Sequence, residues 1–145
     1  MKTINFIFFI LFFFSLNASK TSHGDINKCE LVHVYNGDTF IVNIRDMPAI
    51  IGKNIPIKIS DIETPSISSK NPAVRTRAMQ AKEFLENLLK KSKVITLKNI
   101  KRDKYFRILA EVYADDKNVA QELINSGLAN QLSNKKKTAW IKTNN

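Results

Sequence analysis

The sequence predicts an α+β domain, mainly β, in which five short strands curl into a small closed barrel with two to three helices packed outside. Three observations predict it. Apolar residues alternate with polar ones in several short runs cut by turn residues. The elements follow in the order β-β-β-α-β-β-α over about 100 residues, a count that suits a small barrel. Composition is that of an ordinary globular chain: 145 residues, 43% apolar and 25% charged, with four Gly and four Pro. A wholly disordered chain, a Gly/Pro low-complexity chain and a second sizeable domain are excluded on these grounds. Periodicity alone equally allows an open α+β sheet.

Each element has its own warrant. Leu31–Tyr35 and Thr39–Ile44 are β-rich and flank Asn36-Gly37-Asp38, a strong turn signal. In the second run Phe40, Val42 and Ile44 share one face. Residues 46–54 hold Pro48, Gly52 and Asn54 and read as a loop. The run 55–62 alternates again, with Ile55, Ile57 and Ile59 on one face, until Glu63-Thr64-Pro65-Ser66 breaks it. Asn71 is a good N-cap and Pro72 suits the first helical position, where its missing N–H costs nothing. Val74, Ala78, Ala81, Leu85 and Leu88 then recur at helical spacing, and Lys90, Lys91 and Lys93 crowd the end, where the dipole favours cations. Residues 94–100 and 106–113 read as strands. Val119–Asn125 reads as a second helix, capped by Asn118 and stopped by Gly127.

The two ends of the chain differ from this middle. Residues 1–18 carry Lys2, the apolar run 6–14 (FIFFILFFF) and a polar close at Ala18, the order of a secretory signal peptide cleaved after Ala18. The run is too short to cross a bilayer of ~30 Å, which argues against an uncleaved anchor, so no stable span is expected after cleavage. The destination is secreted or periplasmic. Residues 19–28 read as a flexible lead-in, 30–132 as the domain, and 133–145, Lys-rich around Trp140, as a loose polar tail. Losing the leader lowers the formal charge from +10 to +9. An exported basic domain points to a polyanion: nucleic acid, an anionic lipid surface or an acidic cell-wall polymer. The single Cys29 excludes an internal disulfide and a Cys-rich zinc site, and two His make an imidazole-built site a poor candidate. Any metal is expected on oxygen.

Carboxylates are scarce, so their positions inform. Asp38 ends the first turn and Glu63 ends the third strand at a Pro-containing corner, where a scaffold can point side chains into one cavity. Two carboxylates with the Thr64 carbonyl could hold a hard cation. Lys58 and Arg107 could serve a phosphodiester, whose transition state concentrates charge on non-bridging oxygens. Taken singly, each of these residues is also an ordinary turn acid or surface base.

In order, they resemble a known family. Asn36-Gly37-Asp38-Thr39, then Lys58-Ile59-Ser60-Asp61-Ile62-Glu63-Thr64-Pro65, then Asp103-Lys104-Tyr105-Phe106-Arg107-Ile108-Leu109-Ala110 are similar to three signatures of the staphylococcal-nuclease-like proteins, the thermonucleases. Asn118-Val119, Glu122-Leu123-Ile124 and Gly127-Leu128-Ala129 resemble that family's last helix and its exit. The resemblance implies a five-stranded oligonucleotide/oligosaccharide-binding (OB-fold-like) barrel. It implies either a Ca2+-dependent nuclease of DNA and RNA or a noncatalytic nucleic-acid-binding module. Carried over by position, it implies metal binding by Asp38, Glu63 and the Thr64 carbonyl, phosphate contacts from Lys58 and Arg107, and the general-base position at Ser66. It also implies nucleotide contacts from Lys104 and Tyr105, while Tyr113 is a further aromatic that could stack or hydrogen-bond near a nucleotide.

Four departures matter unequally. Asn36 replaces an acid in the turn and still offers an oxygen. Glu63 for Asp extends the carboxylate by one methylene. Lys58 for Arg keeps charge but loses the bidentate fork. Ser66 for Glu is the serious one, because a hydroxyl cannot take a proton from water at neutral pH as a carboxylate can, and losing a positioned base costs ~10²–10⁴-fold in rate. The expectation is an exported, Ca2+-dependent phosphodiesterase of reduced rate, with little sequence specificity and no protein partner, acting as a monomer. The alternative is a noncatalytic binder of DNA, RNA or another polyanion. Docking on anionic lipid by the helix at 73–91 is the weakest reading, since packing on the barrel explains its apolar stripe.

Overall fold

The structure, a computed structural model, describes residues 24–132 and Trp140. The expected leader at 1–18, and the tail apart from Trp140, lie outside the described residues. Eight strands and three helices are described: β1 Ile26–Asn36, β2 Thr39–Ile44, α1 Ala49–Gly52, β3 Ile55–Ile59, β4 Ile62–Glu63, α2 Pro72–Lys91, β5 Ile95–Arg102, β6 Ile108–Ala114, β7 Lys117–Asn118, α3 Val119–Asn125 and β8 Asn130–Gln131.

Five strands form a ring. The sheet runs β3-β2-β1-β5-β6-β7, and a further pairing of β3 with β6 closes it. That seam is parallel, with Ile57 opposite Ile108, Lys58 opposite Leu109 and Ile59 opposite Ala110. The other ring contacts are antiparallel. This is the closed five-strand barrel of an OB-like α+β fold, and of the two topologies that periodicity allows it is the closed one. Closure removes the free edges that an open sheet of short strands would leave exposed.

The interior follows from the alternation. Phe40, Val42, Ile57, Ile59, Leu97 and Val112 point inward and are fully buried, and Leu85 of α2 and Leu123 of α3 join the same cluster. Burying side chains of this size contributes about 1.5–3 kcal/mol each. α2 packs across β1 with Ala78, Ala81, Leu85 and Leu89 inward. Its start is as the sequence predicts: Asn71 Oδ1 accepts from the Ala73 N–H at 2.9 Å, with Pro72 next. Asn118 caps α3 in the same way, accepting from the Gln121 N–H at 3.1 Å. Gly127 follows α3 at φ 67°, a left-handed conformation that suits glycine, and Arg77 of α2 donates to its carbonyl at 2.7 Å. Among the described residues no helix is long and apolar enough to cross a membrane.

The structure corrects several expected boundaries. β1 begins at Ile26, inside the segment read as a lead-in, because its first half pairs with β5 at Ile26–Leu97 and Cys29–Ile95. The loop at 46–54 contains the one-turn helix α1, closed by N–H bonds from Ile51 and Gly52 to the Pro48 carbonyl, both at 2.9 Å. The run 55–62 is two strands, since Asp61 turns the chain at φ 60° and releases β4 from the barrel. β4 then pairs with β8, which ties residues 130–131 to the domain expected to run to 132. Phe106 precedes β6 instead of opening it.

Candidate active site

The β1–β2 turn is built to carry one acid. Asn36 Oδ1 accepts the Asp38 N–H at 3.0 Å, and the Asp38 carbonyl accepts the Ile59 N–H at 2.9 Å. Gly37 lets this turn lie against its neighbours: a Cβ there would stand 2.7 Å from Ala81 Cβ and 3.2 Å from Thr64 Cβ. The turn, α2 and the Glu63–Ser66 corner therefore touch at one point, and only a residue without a side chain fits between them.

Asp38 is buried, 8% exposed, yet it lines a cleft of about 420 Å³ with Asn36, Thr64, Ser66 and Lys82. Its Oδ1 accepts from Thr39 Oγ1 at 2.8 Å, and its Oδ2 is ion-paired to Lys58 Nζ at 2.5 Å. The pairing of Thr39 with Lys58 across β2 and β3 delivers that ammonium. Each carboxylate oxygen thus has one protein partner and keeps a second lone-pair direction. Thr64 lines the same cleft, so with its carbonyl the donor set would be all hard oxygen and of the chemistry that suits Ca2+, in competition with the Lys58 ammonium; among the described residues no three His, Cys, Asp or Glu side chains cluster to hold a metal. Ser66 is exposed, and its Oγ accepts from the Ser68 N–H at 3.2 Å. Asp38 is the sole acid among the described residues lining this cleft. Glu63, half-buried on β4, stands next to Thr64 in the chain but does not line the cleft itself.

Arg107 sits two residues before Leu109, the seam partner of Lys58, so it reaches the same outer face of the barrel. Its guanidinium is held by Asp103, with Nε and a terminal nitrogen both 2.7 Å from Oδ2. Asp103 Oδ1 also accepts the Tyr105 and Arg107 N–H groups at 2.8 and 3.0 Å. Desolvation pushes the Asp103 carboxyl up, but the Tyr105 N–H, the Arg107 guanidinium and the Arg107 N–H outweigh it, leaving the group below its ordinary value. Lys104 and Arg107 lie over the Tyr105 ring, 5.0 and 5.4 Å from its centroid. Phe106 sits at φ 62°, a conformation costing a side chain with a Cβ about 1–2 kcal/mol.

The structure therefore gathers Asp38, Thr64 and Ser66 around one cleft, joins Lys58 to Asp38, and sets Arg107 with Lys104 and Tyr105 beside the seam. Tyr113 is not brought to this group. It lies six residues along β6 from Arg107, about 20 Å at strand spacing, with Lys98 over its ring at 5.1 Å. The sequence reading assigned no role to Asp103, although its spacing of four from Arg107 was a usable signal. Cys29 is half-buried and its thiol is pushed up to about 11 by desolvation, so it is no nucleophile at neutral pH.

A small closed barrel with an acid-bearing cleft and cations across its seam defines a protein of the nuclease fold. The model of one family, described as staphylococcal nuclease homologue, matches residues 56–143, more than half of the chain, and the chain belongs to that family. The match includes Lys58, Glu63, Thr64, Ser66, Lys104, Tyr105, Arg107 and Tyr113, while Asp38 and the β1–β2 turn precede it. A comparison with curated proteins found no match. The family is generally Ca2+-dependent, and its fold points to nucleic-acid binding in general.

Proposed function

We propose that this chain is an exported, metal-dependent nuclease that hydrolyses phosphodiester bonds of DNA or RNA, slowed by the hydroxyl at position 66. Export is inferred from the leader-like residues 1–18. The observation that carries the reading is Asp38: a buried carboxylate lining a cleft that Thr64 and Ser66 share, with the Lys58 ammonium paired to it. Asp38 and the Thr64 carbonyl would hold one Ca2+ in the cleft, and Glu63, which does not line the cleft, is the further candidate ligand at its corner. When bound, the ion supplies Lewis-acid polarisation of a phosphoryl oxygen.

The chain's own residues supply the rest. Arg107 offers a planar donor fork to two phosphate oxygens and trades part of its pairing with Asp103 to do so. Lys58 offers a single ammonium, which leaves Asp38 free as it turns to phosphate. Ser66 can orient a water by hydrogen bonding but cannot deprotonate it, which limits the rate. Phosphate contact dominates such binding, so sequence preference is weak and affinity falls with salt.

The test is cleavage of single-stranded DNA by the protein with Ca2+. Cleavage that EDTA abolishes and that Arg107→Ala lowers by ~10²–10³-fold supports the reading, the size expected for losing one electrostatic donor. DNA binding that survives Arg107→Ala, with no cleavage at any pH, gives the function to a noncatalytic nucleic-acid-binding module instead. Two observations favour that second reading: the Lys58 ammonium already seated on Asp38, and Ser66 in place of a base.

A further inference from the structure

Resting on the nucleic-acid reading above, we infer that Phe106 is a stacking platform for an unpaired base. The side chain is 79% exposed and Tyr105 beside it is 66% exposed. Two adjacent aromatic rings in water are unusual in a loop that is otherwise fully tied down. The Phe106 N–H donates to the Asp103 carbonyl at 3.1 Å, its carbonyl accepts from Arg102 at 3.0 Å, and the Asp103 N–H donates to the Arg107 carbonyl at 3.0 Å. These bonds hold Phe106 in a left-handed conformation, and its ring is left in solvent. A loop free to relax would fold that ring onto apolar surface.

What the ring meets is set by its surroundings. Lys101, Arg102, Lys104 and Arg107 lie within the same seven residues against the single Asp103. Lys104 and Arg107 already flank the Tyr105 ring. The occupant must therefore be anionic and present a flat apolar face close to its charge, and a nucleotide is both. Phe106 is the chain neighbour of Arg107, the residue given to phosphate above, so the base next to that phosphate falls within reach of the ring. In a duplex the base faces are hidden by their own stacking. An aromatic platform at this place therefore separates single strands from duplex without reading sequence.

A lipid surface is the competing occupant. Ile50 on α1 is 92% exposed and Ile51 58% exposed, and the parallel seam puts the α1–β3 connection at the same end of the barrel as Phe106. The cations packed on Tyr105 favour the nucleotide.

The experiment is fluorescence anisotropy on the full protein in EDTA, so that no cleavage occurs, with a short oligothymidylate and with a duplex of the same length. Phe106→Gly removes the ring and suits the left-handed backbone, so it folds at least as well as the parent; Phe106→Trp keeps a platform. The expected result is tighter binding of the single strand, weakened about 5- to 150-fold by Phe106→Gly and retained by Phe106→Trp, with duplex affinity unchanged. Single-strand binding that Phe106→Gly leaves intact overturns the inference while the nucleic-acid reading stands. Failure of the unaltered protein to bind either strand form, both in EDTA and with Ca2+ on a cleavage-resistant phosphorothioate backbone, ends that reading and the inference with it. Loss of binding to phosphatidylserine vesicles in Phe106→Gly, with oligonucleotide affinity untouched, overturns it in favour of lipid.

Discussion

Restoring a carboxylate at position 66 should raise the rate of phosphodiester cleavage without tightening binding. Ser66 lines the cleft that Asp38 and Thr64 share, and it is exposed, so Ser66→Glu buries no charge. Lys82 lines the same cleft and gives the new carboxylate a cation to face. The substitution forfeits one long hydrogen bond, from the Ser68 N–H at 3.2 Å, worth about 0.5–1 kcal/mol at most. A positioned base contributes ~10²–10⁴-fold, which is about 2.7–5.5 kcal/mol off the barrier. An introduced glutamate lacks its own supporting contacts, so the lower end, about 10²-fold in kcat, is expected. Initial rates on single-stranded DNA with Ca2+ are compared for the parent, Ser66→Glu and Ser66→Gln, the last matching shape without basicity. The advantage of Ser66→Glu over Ser66→Gln should then shrink in acid, as a carboxyl with an ordinary pKa of about 4.3 takes up its proton. Equal rates for the Glu and Gln variants, with oligonucleotide binding intact, would refute the reasoning that a missing base limits this site.

Two further outcomes follow from the turn and the loop that flank the site. Gly37→Ala sets a methyl 2.7 Å from Ala81 Cβ and 3.2 Å from Thr64 Cβ, and overpacking of this kind costs about 1–3 kcal/mol. Urea unfolding should show the loss, and an unchanged midpoint would mean that the turn does not rest on α2. Asp103 carries a folded-state carboxyl below its ordinary value, so its contribution is complete above the unfolded-state value and is lost as pH falls through the folded one. Backbone NMR signals of Tyr105, Phe106 and Arg107 should therefore hold steady around neutrality and move only in the acid range. A loop transition near neutral pH would contradict the Asp103 bonds.

How much was legible depends on how local the cause is. The N-cap at Asn71, the turn at 36–38 and the stripe of α2 rest on neighbouring residues, and each was readable from sequence. The first half of β1 was not, because Asn27, Lys28 and Glu30 interrupt any alternation and the strand exists through its pairing with β5. Asp61 and Phe106 turn the chain at positive φ without a glycine to announce it. Motif order singles out Asp38, Thr64 and Ser66, which share one cleft, but the Lys58–Asp38 pair is a product of strand register twenty positions apart. Tyr113 shares its strand with Arg107, and sequence alone gave no measure of the distance between them.

The seam between β3 and β6 joins segments about fifty positions apart, with all of α2 and β5 in between. Contacts of such long separation carry a large loop-closure cost, which slows folding. Asp38 and Lys58 come from one side of that seam and Arg107 from the other. On the proposed function, the groups meant for phosphate are therefore drawn to one face of the barrel only by the closing of this seam.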